Sequence, residues 1–221
     1  MAEDAPHSNE GLKWSASETV RLGDNIRDKV RELTLLALKQ RRFDQRGIQD
    51  IVQSVAEGIA LGAETSRGDM RRAISEALAG LDQALRISAE AGRLALEQLT
   101  DSSKDFSETE LKSALVNLKR LEDDFLATIA RVADAASERV QPELRVMLGA
   151  VRRTGTETGK HVAATMTEFA HRFSAASVDT AIAGLEAANE FGQRFVQLAS
   201  GILARLPETR SHAARAEEGS G

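Results

Sequence analysis

The stretch Ile74-Ser-Glu-Ala-Leu-Ala-Gly-Leu-Asp-Gln-Ala-Leu-Arg-Ile-Ser-Ala-Glu-Ala-Gly-Arg-Leu-Ala-Leu-Glu-Gln-Leu99 decides the fold. Within it Ile74, Leu78, Leu81, Leu85, Ser88, Gly92, Ala95 and Leu99 recur at alternating four- and three-residue steps, the heptad seam of an amphipathic helix. One position back runs a second stripe, Ala73, Ala77, Gly80, Ala84, Ile87, Ala91, Leu94 and Gln98, in which most side chains are small. The apolar face is therefore wide and partly shallow. Large aliphatics come first, small residues fill Ser88 to Ala95, and Leu99 closes the face. A shallow zone lets a neighbouring helix approach closely, whereas a lipid surface rewards large side chains along the whole length. Burial against other helices of the chain is the expectation, with Ile74, Leu78, Leu81, Leu85 and Leu99 as the packing or interaction seam.

The same idiom continues on both sides. Upstream, Asp44 is placed to cap a helix carrying Ile48, Ile51, Val52, Val55 and Ile59, and Thr65, Ser66 and Gly68 read as the turn before the central helix. Ser17 or Ser15 is expected to start a first helix running to about Lys39, with Gly23 tolerated inside it. Residues 1–15 are polar, contain Pro6 and Gly11, and read as a disordered leader anchored by Trp14. Downstream, Ser107-Glu-Thr-Glu110 is a capping box for a helix with Leu111, Leu115, Leu118, Leu121, Phe125, Ile129, Val132 and Ala136 inward, ended near Val140 by Gln141-Pro142. From Pro142 the stripe Leu144, Leu148, Val151, Val162, Met166, Phe169 and Phe173 keeps its phase across Gly155 and Gly159, which predicts one helix weakened at its middle. Ser174 to Ser177 marks a break. A last series from Val178 to Leu206 ends at Pro207, and 207–221 reads as a disordered tail.

Only three prolines, seven phenylalanines, one tryptophan and no tyrosine occur, so strand signals are nearly absent. The expected fold is all-α, a single domain over 16–206. Its expected form is an elongated antiparallel bundle of about five or six helices with coiled-coil-like seams. The 29 basic and 34 acidic side chains interleave to a net charge of −5, which gives no global attraction to nucleic acid or anionic membrane. The absence of cysteine removes disulfides, thiolate metal sites and cysteine nucleophiles. The N-terminus lacks the basic and apolar regions of a signal peptide, so the cytoplasm is the expected location. The longest uncharged run, Phe195 to Ala204, spans ten residues, half of the roughly 20 that cross a bilayer as a helix.

Motifs that carry chemistry are few. Gly155-Thr-Glu-Thr-Gly159-Lys160-His161 has one residue too few between its glycines for a phosphate loop, has histidine where Ser/Thr holds magnesium, and follows no strand. Glu168-Phe-Ala-His171 is a single copy of an element that di-iron bundles use twice, and Phe169 and Phe173 claim the core face beside it. Glu122-Asp-Asp124 points its carboxylates in different directions around a helix. No enzyme activity, metal or other cofactor is expected. Two basic clusters remain. One is an anion patch of Lys39, Arg41, Arg42 and Arg46 around Phe43, the other Arg152, Arg153, Lys160 and His161, and both read first as solvated faces.

Two resemblances bear on this reading. Ile26-Arg-Asp-Lys-Val-Arg-Glu-Leu-Thr-Leu-Leu-Ala-Leu38, Glu76-Ala-Leu-Ala-Gly-Leu-Asp-Gln-Ala-Leu85 and Val196-Gln-Leu-Ala-Ser-Gly-Ile-Leu-Ala204 look like a family of uncharacterised bacterial all-helical proteins, over about residues 20–206. That resemblance implies bacterial origin and one helical unit, and brings no activity. In composition the chain is similar to the phasins, alanine-rich helical proteins of polyhydroxyalkanoate granules. The expected function is a helical scaffold that binds a protein partner or self-associates through its seams. Coating of a polyester granule or lipid surface is the alternative, and nucleic acid the least favoured partner.

Overall fold

The computed structural model describes residues 8–40, 44–66, 68–102, 108–174 and 185–206. Among them the chain forms eight helices and no strand: α1 (Asn9–Leu22), α2 (Ile26–Gln40), α3 (Gln45–Thr65), α4 (Met70–Ser102), α5 (Glu108–Ala135), α6 (Gln141–Thr154), α7 (Glu157–Ser174) and α8 (Leu185–Arg205). The all-α class is as expected, but the helices exceed the expected five or six, because two glycines end helices instead of weakening them. Gly23 sits at φ 84° and Gly155 at φ 75°, backbone that L side chains rarely adopt. Gly23 donates its N–H to Thr19 O at 3.3 Å and closes α1, and Gly155 donates to Val151 O at 2.8 Å and closes α6.

The N-terminal boundary also moves. Ser8 Oγ accepts from Gly11 N at 3.0 Å and caps α1, so residues 9–15 are helical, not a leader, and Ser15 and Ser17 lie inside the helix. The spacing Leu12, Ala16, Val20 is the cause: one small inward residue per turn is a weak periodic signal, yet all three are buried. Trp14, expected as the anchor, is instead 67% exposed. Asp44 caps α3 as expected, accepting from Gly47 N at 2.8 Å, and Pro142 sits in the first turn of α6. Helix α5 stops at Ala135, short of Val140, in a turn where Val140 N donates to Ser137 O at 3.0 Å. The Ser107 cap, residues 1–7, 175–184 and the tail from 207 lie outside the described residues.

The most extensive packing joins next-but-one helices, α1 on α3 and α2 on α4, followed by α8 on α4 and α5 on α3. Helices α1 and α3 run in the same direction, because Gly58 lies against Lys13 O and Gly62 against Ser17 O, four residues further along both. Within the helical bundle this pair is parallel, where the sequence predicts an antiparallel arrangement. A Cβ at Gly58 or Gly62 would overlap those carbonyl oxygens, and a Cβ at Gly80 would overlap Arg27 O where α2 crosses α4. Glycine removes the side-chain layer that normally separates helix axes. The Lys13–Glu57 ion pair, 2.9 Å, borders the α1–α3 contact. Its hydrogen bond to Glu57 raises the lysine pKa, while hydrogen bonds from Gln53 and Lys13 lower that of Glu57.

Helix α4 touches each of the other seven helices. Its seam residues Ile74, Leu81 and Leu85 are wholly buried, and Leu78 and Leu99 nearly so. Of the second stripe, Ala73, Ala77, Ala84 and Ala91 are buried too, and Ala89 and Leu96, outside both stripes, join them. Ser88, within the seam, returns its hydroxyl proton to Ala84 O at 3.1 Å and leaves no unsatisfied donor.

Two glycine substitutions separate close approach from intrinsic helix preference. Gly58→Ala is expected to destabilise by about 1–3 kcal/mol, since α1 must move off α3. Gly201→Ala, in α8 with nothing near the new methyl group, is expected to stabilise by about 0.5–1 kcal/mol. Urea midpoints of the two variants check both signs.

Candidate functional site

The residues singled out in the sequence fall into three places. The seam Ile74, Leu78, Leu81, Leu85 and Leu99 is in the core, so in this closed form its use is packing. Of the expected anion patch, only Lys39 and Arg46 lie among the described residues. Lys39 Nζ donates to Leu206 O at 3.3 Å, tying the end of α2 to the end of α8, and Arg46 is exposed in the first turn of α3. Arg41 and Arg42 lie outside the described residues. The second basic cluster disperses: Arg152 and Arg153 are exposed at the end of α6, Lys160 pairs with Glu157 at 2.9 Å, and His161 turns to α4. The three adjacent carboxylates diverge as expected. Glu122 faces α7, Asp124 accepts from Gln45 Nε2 at 3.0 Å, and Asp123 is exposed.

The glycine-threonine loop before α7 does hold an anion, and the anion is the protein's own. Asp82 of α4 accepts from Glu157 N at 2.7 Å, Thr158 N at 3.1 Å and Thr158 Oγ1 at 2.7 Å. Thr156 Oγ1 accepts from Gly159 N at 2.6 Å and donates to Glu122 Oε1 of α5 at 2.8 Å. Lys160 N reaches Thr156 O at 3.1 Å. The first four amides of α7 are thus all satisfied, and the positive end of the helix dipole meets two carboxylates from two helices. A Cβ at Gly159 would overlap the Glu122 carboxylate, so a larger residue there would displace the end of that side chain from Thr156. The sequence shows the loop but not its occupant, because Asp82 and Glu122 are remote in the chain.

One turn further on, a charged cluster joins α7 to α4. Arg93 forks Glu90 through Nε at 2.9 Å and Nη2 at 2.8 Å, and its Nη1 meets Glu97 at 2.5 Å and Glu168 at 3.8 Å. His161 Nε2 stands 2.9 Å from Glu90 Oε2, at ion-pair distance but without hydrogen-bond alignment. The hydrogen bond from Arg93 holds Glu90 below the ordinary carboxylate range, and the Arg93 guanidinium is held above its ordinary value chiefly by Glu90. The place that a metal would take among these carboxylates is occupied by a guanidinium, and no group of metal-ligating side chains occurs among the described residues. Glu168 belongs to this cluster beside the buried Phe169. The side chains of His171 and Phe173 lie outside the described residues.

A surface feature that the sequence reading misassigned is the outer face of α1. Trp14 is 67% and Leu22 59% exposed, two turns apart and opposite Leu12, Ala16 and Val20. Between them Glu18 accepts from Arg21 Nε at 2.8 Å. Helix α1 packs on α3, α2 and, slightly, α4, so this side of it carries no other described helix. The eight-residue spacing of Trp14 and Leu22 was readable, but only once Asn9–Leu22 is recognised as a helix.

Two tests address the polar docking of α7. Asp82→Ala is expected to cost about 1–2 kcal/mol, the usual loss on removing a cap, and to speed hydrogen exchange at the Glu157 and Thr158 amides. Glu90, with its pKa lowered from 4.5, contributes stability that is complete above that value and lost as pH falls below it. Arg93→Met should therefore lower the urea midpoint strongly at neutral pH and much less in acid, where its carboxylate partners are protonated. An equal loss at both pH values would exclude the ionic account.

The model of a family of unknown function, DUF6781, matches residues 3–210. Neither curated proteins nor solved structures give a match.

Proposed function

The chain belongs to the DUF6781 family, and we propose that it is a non-enzymatic cytoplasmic scaffold that docks a protein, in the first instance a second copy of itself. What supports this reading is the Trp14–Leu22 face of α1. Interface energy concentrates on a few large anchors, tryptophan foremost, whereas isolated surface leucines carry little. The heptad seam, the other candidate docking surface, is committed to the chain's own core. A two-fold contact centred near Glu18 would set Trp14 of each copy against Leu22 of the other, and one operation would cover both exposed side chains. No described helix is long and apolar enough to cross a membrane.

A second reading is attachment to a lipid or polyester granule surface, as resemblance to the phasins suggests. The same exposed Trp14 favours it, since tryptophan settles at apolar-polar boundaries. The acidic neighbours Glu10 and Glu18 do not help it at an anionic surface.

Trp14 is the only tryptophan and there is no tyrosine, so intrinsic fluorescence reports this one position. Raising the protein concentration should shift its emission to the blue as the light-scattering mass doubles. Trp14→Ser should stay monomeric while its urea stability changes by no more than about 0.5 kcal/mol. A mass that stays monomeric at every concentration contradicts self-docking, and co-flotation of monomer with vesicles favours the second reading.

A further inference from the structure

At the end of the molecule where α1 turns into α2 and α3 into α4, a groove of about 1000 Å³ opens between the two turns. Arg21, Arg27, Arg31 and Arg72 line it, contributed by α1, α2 and α4. None of these arginines belongs to the basic clusters visible in the sequence, because the fold alone collects them. Gly23 and Gly68 form part of the wall, and a Cβ at either would meet nothing, so both turns leave the space clear.

Arg21 and Arg27 are held but not exhausted. Arg21 forks Glu18 through Nε and Nη2 at 2.8 and 2.6 Å, and Arg27 forks Glu76 through Nε at 2.9 Å and Nη2 at 3.1 Å. A guanidinium carries five N–H donors, and a side-on fork of this kind leaves Nη1 unused. Arg31 is positioned by Asp28 at 2.8 Å. Arg72 is exposed, and its guanidinium has no carboxylate partner among the described residues. Carboxylate forks thus fix the orientation of two guanidiniums, Arg21 and Arg27, before a ligand arrives, which lowers the ordering cost of binding. The first turn of α2 borders the same groove with the positive end of its helix dipole, whereas that of α4 is already capped by Asp69, which accepts from Arg72 N at 3.1 Å.

We propose that this groove binds a small soluble molecule bearing two or more phosphate groups. Planar guanidiniums pair bidentately with tetrahedral phosphate oxygens, and several of them around a space of this size suit a chain of phosphates better than a single ion. Asp28, Asp69 and Glu76 line the groove as well and oppose any anion, so binding depends on the guanidinium donors that the ion pairs leave unused.

Isothermal titration calorimetry of the full chain with inorganic triphosphate and with inorganic phosphate tests this. Triphosphate should bind saturably, about ten-fold or more tighter than phosphate, and weaken as salt is added. Arg72→Gln should lower triphosphate affinity by about ten-fold, the loss of one charge-assisted pair. Arg27→Gln should do the same, and because Arg27 also ties α2 to α4, Arg72→Gln decides if that variant fails to fold. Arg145→Gln, which removes an exposed pair with Asp134 elsewhere, should leave binding unchanged. Absence of saturable binding, equal affinity for both anions, or undiminished binding by Arg72→Gln would overturn the proposal. Arg21 and Leu22 line the groove and also belong to the α1 face, so the titration is run at a protein concentration where light scattering shows a monomer, which separates its outcome from docking of a second copy.

Discussion

The contact of helix backbone on helix backbone at Gly58, Gly62 and Gly80 is the constraint on which the remaining packing depends. At these three positions a carbonyl oxygen of a neighbouring helix occupies the space of a side chain. Such an approach admits one register: sliding α1 along α3 by a single residue would drive Ala16 or Val20 into the wall that Gly58 and Gly62 now open. With α1 fixed on α3, and α2 fixed on α4 through Arg27 and Gly80, α4 lies inside the assembly and touches every other helix. The wide double stripe of Ile74–Leu99 then follows as a requirement. A helix enclosed on several sides needs apolar side chains on several sides, and small ones wherever a neighbour comes closest.

The second half of the chain is attached differently. Helices α5 and α8 meet α4 through apolar contacts that include Leu118 and Phe195 beside Gly92. Helix α7 is positioned by polar groups: its first turn sits on the Asp82 and Glu122 carboxylates, and its second faces the Arg93 cluster. Satisfied polar contacts fix orientation more sharply than apolar contacts, because each donor has one geometry that meets its acceptor. That combination makes the glycine-threonine loop part of the packing. Its amides are already used in joining three helices.

Much of this fold was legible in the sequence. The α4 face, the Asp44 cap, the turn at Ser66 and the Pro142 start are local, and local physics determines them. The errors share one cause. Gly23 and Gly155 lie within stripes whose phase continues beyond them, and periodicity does not distinguish a glycine that bends a helix from one that ends it at positive φ. Placing the start of α1 too late followed from the weak period of Leu12 and Ala16, since Ala16 packs against glycine and has no need of bulk. The candidate sites were less legible still. Burial of the seam depends on which helices arrive beside it, and the arginines at 21, 27, 31 and 72 become one group only through the fold.

Two surfaces of opposite character remain on the closed molecule, the apolar outer side of α1 and the arginine-lined groove at the turn where α1 ends. Both are shaped by the tight packing of α1, which turns Leu12, Ala16 and Val20 inward and leaves Trp14 and Leu22 outside. Burial of the α4 seam within a single closed chain is central to everything inferred from these surfaces, and native-state hydrogen exchange measures it most directly. In dilute protein the amides of Ile74–Leu99 are expected to exchange only by global unfolding, with the denaturant dependence of the whole chain. Exchange of that stretch by a smaller opening, while α1 and α3 stay protected, would contradict the closed core and make the seam itself a surface available to a partner.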